Sequence, residues 1–166
     1  LPAFRSLVMD GKVWSVMGAY NRFRDYPCCA SPDLFQILRK DWGFEGYFVS
    51  DCWAVSDFFQ FHKFSKDAAE AAAAAVNAGT DLECGVTYNA LGEAVKRGII
   101  AESDIDLAIK RLFTARFKLG MFDPEDKNPY ARIPYSVNTS DINDNLARTA
   151  AQKSIVLLKN DNNTLP

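Results

Sequence analysis

Short apolar runs alternate along this chain with amphipathic or alanine-rich segments. That alternation predicts an α/β protein in which βα units build a parallel sheet. Three observations support the prediction. The runs Val13–Ala19 (VWSVMGA) and Gly46–Val49 (GYFV) have the apolar density of buried strands. Helix-forming segments with start and stop signals stand between one apolar run and the next. Three such units cannot bury both faces of a parallel sheet, whereas eight close a barrel of ~250 residues. The expected architecture is therefore the C-terminal part of a (β/α)8 barrel, about its last three-eighths.

Each element has a local reason. A short helix, Pro2–Asp10, precedes the first strand, and Asn21–Ser31 reads as a loop holding Pro27 and two cysteines. In PDLFQILRKDWGF, Ser31 is the cap, Pro32 suits the first turn and Gly43 is the stop, so this stretch is a helix. The second strand, Gly46–Val49, is bounded by Ser50 and Asp51. Phe58–Phe64 is aromatic and polar-punctuated, a short helix and loop. Asp67–Ala78 carries eight alanines, which favour helix and allow close approach to a strand, and Gly79 ends it. Thr80–Glu83 (TDLE) is expected to be a third, very short strand. Two more helices are expected at Tyr88–Arg97 and Asp104–Leu119. The latter is assigned a Ser103/Asp106 capping box, an apolar face of Ile105, Ile109, Leu112 and Phe113, and Gly120 as its stop.

Met121–Asn138 contains Pro124, Pro129 and Pro134 without periodicity, which marks a linker or an extended crossing. A helix over Asp141–Lys153, capped by Ser140, then leads into Ile155–Lys159 (IVLLK), expected to be a buried strand. Leu1 follows no initiator Met or signal peptide, and Leu165-Pro166 comes directly after a turn cluster, so the chain is expected to be a segment of something longer.

Composition removes several function classes. The balance of 19 Lys+Arg against 21 Asp+Glu, with 48% apolar residues, excludes disorder and a strongly basic nucleic-acid surface. The longest apolar stretch, Ala68–Val76, is interrupted by Glu70 and falls far short of the ~20 residues of a membrane span. No P-loop or G-x-G-x-x-G is present, so no nucleotide cofactor is expected. Cys28, Cys29, Cys52 and Cys84 lack zinc spacing, and His62 is the single histidine, so no metal is expected either. The cysteines are either buried free thiols or hold one disulfide in an exported protein.

In a parallel barrel the reactive residues stand at the carboxyl ends of the strands. That rule selects Tyr20 and Asn21, then Ser50, Asp51, Cys52 and Trp53, then Asp81 and Glu83. Asp51 is the best catalytic candidate, because an acid directly after GYFVS can be solvated only at the barrel mouth; its other reading is a cap for the next helix. Tyr20 and Trp53 are core or rim aromatics unless a sugar makes them stacking platforms. Asp81 and Glu83 are a structural turn pair or part of a site. Met17, mid-strand, is core by pattern, and His62 is a surface or satisfied histidine. A Ser50–His62–Asp51 triad lacks the G-x-S-x-G elbow.

At these residues the chain resembles family 3 glycoside hydrolases of the β-xylosidase/β-glucosidase group. The matching stretches are SVMGAYN (15–21), PDLFQILRKDWGFEGYFVSD (32–51), NAGTDLECG (77–85), IDLAIKRLFTARFKLGMFDP (105–124) and ARTAAQKSIVLLKN (147–160). The resemblance implies a catalytic barrel over 1–120, a linker over 121–139 and the start of a second, α/β sandwich domain over 140–166. It implies hydrolysis of terminal β-linked glycosides by a retaining mechanism, with Asp51 as nucleophile. Met17, Tyr20, Cys52, Trp53 and Glu83 would line the sugar subsite. The acid/base and the sugar-clamping residues would lie outside these 166 residues, so the isolated chain is expected to be inactive.

The SDC sequence at Ser50–Cys52 is similar to xylosidase-like members. A Cys29–Cys52 bridge, with Cys28 as the other partner, would narrow the space for a hexose hydroxymethyl. The expected ligand is an oligosaccharide or an aryl or alkyl β-glycoside, with no cofactor, and the expected location is extracellular or periplasmic. The contrasting class is a non-catalytic carbohydrate-binding or structural barrel fragment, which a buried, salt-bridged Asp51 would favour.

Overall fold

The structure, a computed structural model, describes residues 1–163. Its contacts divide into two units, Leu1–Phe122 and a second beginning at Asp123.

In the first unit, α1 (Pro2–Met9) precedes β1 (Ser15–Gly18), which pairs in parallel with β4 (Tyr47–Ser50) through Ser15↔Tyr47 to Gly18↔Ser50. The connection between them holds a hairpin, β2 (Arg22–Phe23) with β3 (Tyr26–Pro27), inside the stretch expected to be loop. It continues into α2 (Pro32–Phe35), where Ser31 Oγ accepts the Leu34 N–H at 3.4 Å. That helix widens into a π-helical turn over Gln36–Asp41, with Trp42 N–H donating to Ile37 O. Gly43, at φ +66°, ends it as read from the sequence.

After β4 come α3 (Asp57–Gln60) and α4 (Ala68–Ala78), the latter capped by Asp67, whose carboxylate accepts the Glu70 N–H. Helix α4 shows what its alanines are for. Ala71 and Ala75 pack into a core with Phe35, Phe48, Val55 and Phe58, while Ala69, Ala73 and Val76 pack with Ala94, Ile100 and Ala108. Residues four apart share a helix face, and only small side chains let one helix be buried on two faces.

The third strand shrinks to one parallel bridge, Val49↔Leu82, although Asp81 and Leu82 N–H both donate to Phe48 O and Ser50 N–H donates to Leu82 O. The following helix begins as a 3-10 turn, Thr87–Ala90, before α5 (Leu91–Lys96). Helix α6 (Glu102–Lys118) starts two residues earlier than expected. Asp104, not Asp106, closes the N-terminus by accepting the Ala101 N–H at 3.3 Å, so Ser103 is not the cap. Its buried residues are Ala108 and Ala115, whereas Ile109 and Phe113 are 48% and 37% exposed.

The second unit contains short 3-10 turns at Glu125–Lys127, Pro129–Arg132 and Tyr135–Val137, then α7 (Asp141–Ser154) with Ser140 as cap. Ile155–Lys159 is not a strand, and Ile155 to Leu158 are 62–91% exposed. An extended segment becomes a strand only when a neighbour takes its N–H and C=O groups, and no described residue of this unit does so. Among the described residues no helix is long and apolar enough to cross a membrane.

Candidate active site

Parallel pairing of β1 with β4 brings two loops to the same end of the sheet, Ala19–Tyr20 after one strand and Asp51–Trp53 after the other. The ladder runs one residue further, since Asp51 N–H donates to Gly18 O at 2.9 Å. Gly18 is required there: a Cβ would lie 2.5 Å from Cys29 Sγ and 2.7 Å from the Phe48 ring. Asp51 thus begins a turn on a fully packed floor, with its own carboxylate half-buried.

The carboxylate accepts the Cys52 N–H at Oδ1, 2.7 Å. It does not cap α3, whose N-cap is Ser56, so the capping alternative for Asp51 is not what the fold uses. Among the described residues Asp51 pairs with no cation. The chain then turns through Trp53 at φ +72°, and Trp53 N–H donates to Cys84 O at 2.6 Å. Tyr20 Oη donates to Cys52 O at 2.5 Å and also interacts with the Asp51 carboxylate. Partial desolvation, and then the Asp51 charge, raise the phenol above its ordinary pKa.

Met17, Tyr20 and Trp53 are 60%, 45% and 54% exposed, so the reading of Met17 as core by its mid-strand position is overturned. The strand is buried on one face only, and Met17 looks out from the other. Cys52 is bonded to Cys84, not to Cys29, which corrects the expected bridge; Cys28 and Cys29 are buried free thiols. The physical reason is register. Cys52 and Cys84 each follow a neighbouring parallel segment, so their Cα atoms come within 4.3 Å. Cys29 instead lies beneath Gly18, where burial pushes its thiol up to about 12, leaving it without thiolate character.

Glu83 uses both carboxylate oxygens locally, accepting the Thr87 N–H at 3.1 Å and the Tyr88 N–H at 2.6 Å. Asp81 is buried and accepts from Arg39 at 2.6 Å, from Arg111 at 3.1 Å and from the Phe48 N–H at 2.8 Å. Burial pulls the Arg39 pKa down, and Asp81 opposes that shift. The Ser50–His62–Asp51 triad does not form. Ser50 Oγ accepts the Cys84 N–H, and His62 Nε2 bonds to Tyr20 O at 2.9 Å. Sequence reading missed the Cys84 partnership, for which FVSDC and TDLEC, read as neighbouring strand ends, were the available signal. It also missed the His62 contact, which spans 42 residues and left no signal.

These features define a parallel βα protein with a carboxylate at a strand end that meets no cation among the described residues, flanked by exposed aromatic and thioether side chains. The chain belongs to glycosyl hydrolase family 3, its residues 1–115 matching the family's N-terminal domain. It is 48% identical over 169 residues to a xylan 1,4-β-xylosidase of Xylanibacter ruminicola, covering 100% of this chain and 20% of that protein. It is 44% identical to a β-xylosidase/α-L-arabinofuranosidase of Medicago sativa, covering 99% and 22%. The solved exo-β-xylosidase XlnD, in complex with a xylobiose aziridine activity-based probe, superposes with TM-score 0.85 at 36% identity over 96% of this chain and 21% of that one. A Listeria innocua β-glucosidase in complex with glucose gives 0.81 at 29% identity, over 100% and 23%. The chain spans about a fifth of the length of the curated relatives it matches.

Proposed function

We propose that these residues form part of a retaining β-glycosidase that releases terminal β-linked xylose or glucose, with Asp51 as its nucleophile. The observation that carries this is the Asp51 carboxylate: at a strand end, held by one backbone N–H, facing no cation among the described residues and beside the Tyr20 hydroxyl. A structural carboxylate in the same unit, Asp81, is by contrast fully paired. That contrast counts against a non-catalytic fragment, for which a buried, ion-paired Asp51 would speak.

In the proposed reaction a carboxylate oxygen of Asp51 attacks the anomeric carbon, the glycosidic oxygen leaves with a proton from a second carboxylic acid, and water then releases the sugar from Asp51. Retention requires that second acid ~5 to 5.5 Å from the first. We place it, with the sugar-clamping residues, on parts of the enzyme beyond these 166 residues. On this reading residues 1–120 are the C-terminal part of a (β/α)8 barrel and residues 140–166 the start of an α/β sandwich. An apolar groove of about 170 Å³ beside β1, lined by Phe4, Val8, Val16, Leu34 and Phe48, is what the remaining strands would cover.

Xylosides come first among the substrates, because the relatives' names favour them. The Cys52–Cys84 bridge supports an extracellular or periplasmic location. Met17, Tyr20, Cys52 and Trp53 would face the sugar, while Glu83 shapes the loop that carries Cys84.

The test is a 2-deoxy-2-fluoro-β-xyloside with a dinitrophenolate leaving group, applied to the intact enzyme and followed by peptide mapping. The label is expected on Asp51; a label on any other side chain overturns the assignment. Paired rates on aryl xyloside and aryl glucoside rank the substrates.

A further inference from the structure

We propose that His62 is a positioning residue for Tyr20, fixing the phenol beside Asp51 through a single hydrogen bond across the mouth loops; this rests on Asp51 being the nucleophile. His62 Nε2 lies 2.9 Å from the Tyr20 carbonyl oxygen. A carbonyl can only accept, so Nε2 carries the proton and donates it. Tyr20 is thereby held at both ends, its backbone by His62 and its hydroxyl by Cys52 O, with the Asp51 carboxylate beside the hydroxyl.

The histidine is itself well anchored. Its N–H donates to Asp57 O at 2.8 Å, and Phe64 N–H returns to Phe58 O at 2.7 Å, folding the segment onto the start of α3. Phe58 is 1% exposed, so that helix is fastened to the core. A second tie runs in parallel: the Phe64 ring meets Tyr26 edge-on at 5.6 Å and Phe58 at 5.7 Å. The loop bearing Tyr20 and the hairpin after it are thus pinned to α3 at two points, and only the His62 tie reaches Tyr20 directly. Nothing in the proposed chemistry needs a histidine here. Its position is accounted for by the donor it supplies.

The experiment measures the rate at which the dinitrophenyl 2-fluoroxyloside labels Asp51 in the intact enzyme. In that step an Asp51 oxygen bonds to the anomeric carbon and dinitrophenolate departs with the electron pair, so no acid is needed. H62Q keeps an N–H donor at similar reach, whereas H62M keeps the length and removes it. H62M is expected to slow labelling about tenfold, the scale of one hydrogen bond. H62Q is expected to stay within about twofold of the wild type. In a Y20F background H62M should add almost nothing, because both changes act through the same phenol. H62N, with an amide one methylene shorter than Gln, replaces H62M if the latter does not fold.

An H62M rate equal to wild type, equal losses for Met and Gln, or losses that multiply with Y20F would each overturn the proposal. Labelling of a residue other than Asp51 would instead overturn the nucleophile assignment, so the two failures are distinguishable.

Discussion

Asp51 and Asp81 sit on neighbouring parallel segments of one unit, yet their surroundings are opposite. Asp81 is buried and holds two guanidinium groups and the Phe48 N–H. Asp51 is half-buried and holds one backbone N–H, with exposed Tyr20 and Trp53 around it. A carboxylate away from water needs every lone pair answered, so Asp81 has been given partners from three elements: the π-helical turn, β4 and α6. A carboxylate that attacks carbon must not be locked in an ion pair, and Asp51 among the described residues meets no cation, only the Cys52 N–H and the Tyr20 hydroxyl. On the proposed reading, the same residue type is structural in one place and reactive in the other because of the donors around it.

The largest effect should come from Asp51→Asn in the intact enzyme. Turnover of an aryl β-xyloside is expected to fall by on the order of 10³-fold or more, with the thermal midpoint almost unchanged. A large loss of stability with modest loss of turnover would reverse the roles assigned to the two acids.

Asp81→Asn sharpens the contrast from the other side. It leaves two cations beside a neutral amide, and breaking a buried ion pair in this way costs about 3–5 kcal/mol. Denaturant unfolding of the intact enzyme is the measurement. An unfolding midpoint equal to wild type would mean that the Arg39–Asp81–Arg111 cluster anchors nothing.

The Cys52–Cys84 bridge lies between the two regions, and the double change C52S/C84S separates its roles. The cysteines are 32 residues apart, and closing a loop of that length contributes about 4 kcal/mol through the unfolded chain. The Trp53 N–H to Cys84 O and Cys84 N–H to Ser50 Oγ bonds remain without the disulfide. Stability should therefore drop while turnover falls less than about tenfold, which equals 1.4 kcal/mol. A greater loss of turnover than of stability would show that the bridge, not these hydrogen bonds, aims Asp51.

Legibility in the sequence tracks the range of the interactions. The caps Ser31 and Ser140, and the stop at Gly43, act within one turn and are written locally, so those helix ends fall where expected, while Asp67, read as the first residue of its helix, is instead the cap. The position of Asp51 at a strand end was legible because an acid closing an apolar strand is a local oddity. The cysteine pairing was not, since it depends on which strand ends are neighbours. Nor was Glu83's role, because donors at Thr87 and Tyr88 exist only once that loop has folded. Ile155–Lys159 reads as a strand from composition alone, but composition does not supply the partner that a strand requires.

A third acid, Asp67, has a side chain about half exposed and tests how far partners matter without full burial. It caps α4 through the Glu70 N–H at 2.9 Å and meets Arg97 at 2.9 Å. The cap bond first, and Arg97 with it, lower its pKa below the ordinary 3.8. A carboxylate whose folded pKa is depressed adds stability above its unfolded pKa and loses it as pH falls through the folded value. Asp67→Asn keeps an oxygen for the cap and removes only the charge. The gap between wild type and this variant should thus be small but present at neutral pH and should close as the pH falls below the ordinary 3.8 and through the lowered folded value. Paired thermal melts across that range decide it. No gap at neutral pH would show that the cap's geometry, rather than its charge, does the stabilising, and that among these three acids only burial makes ion pairing matter.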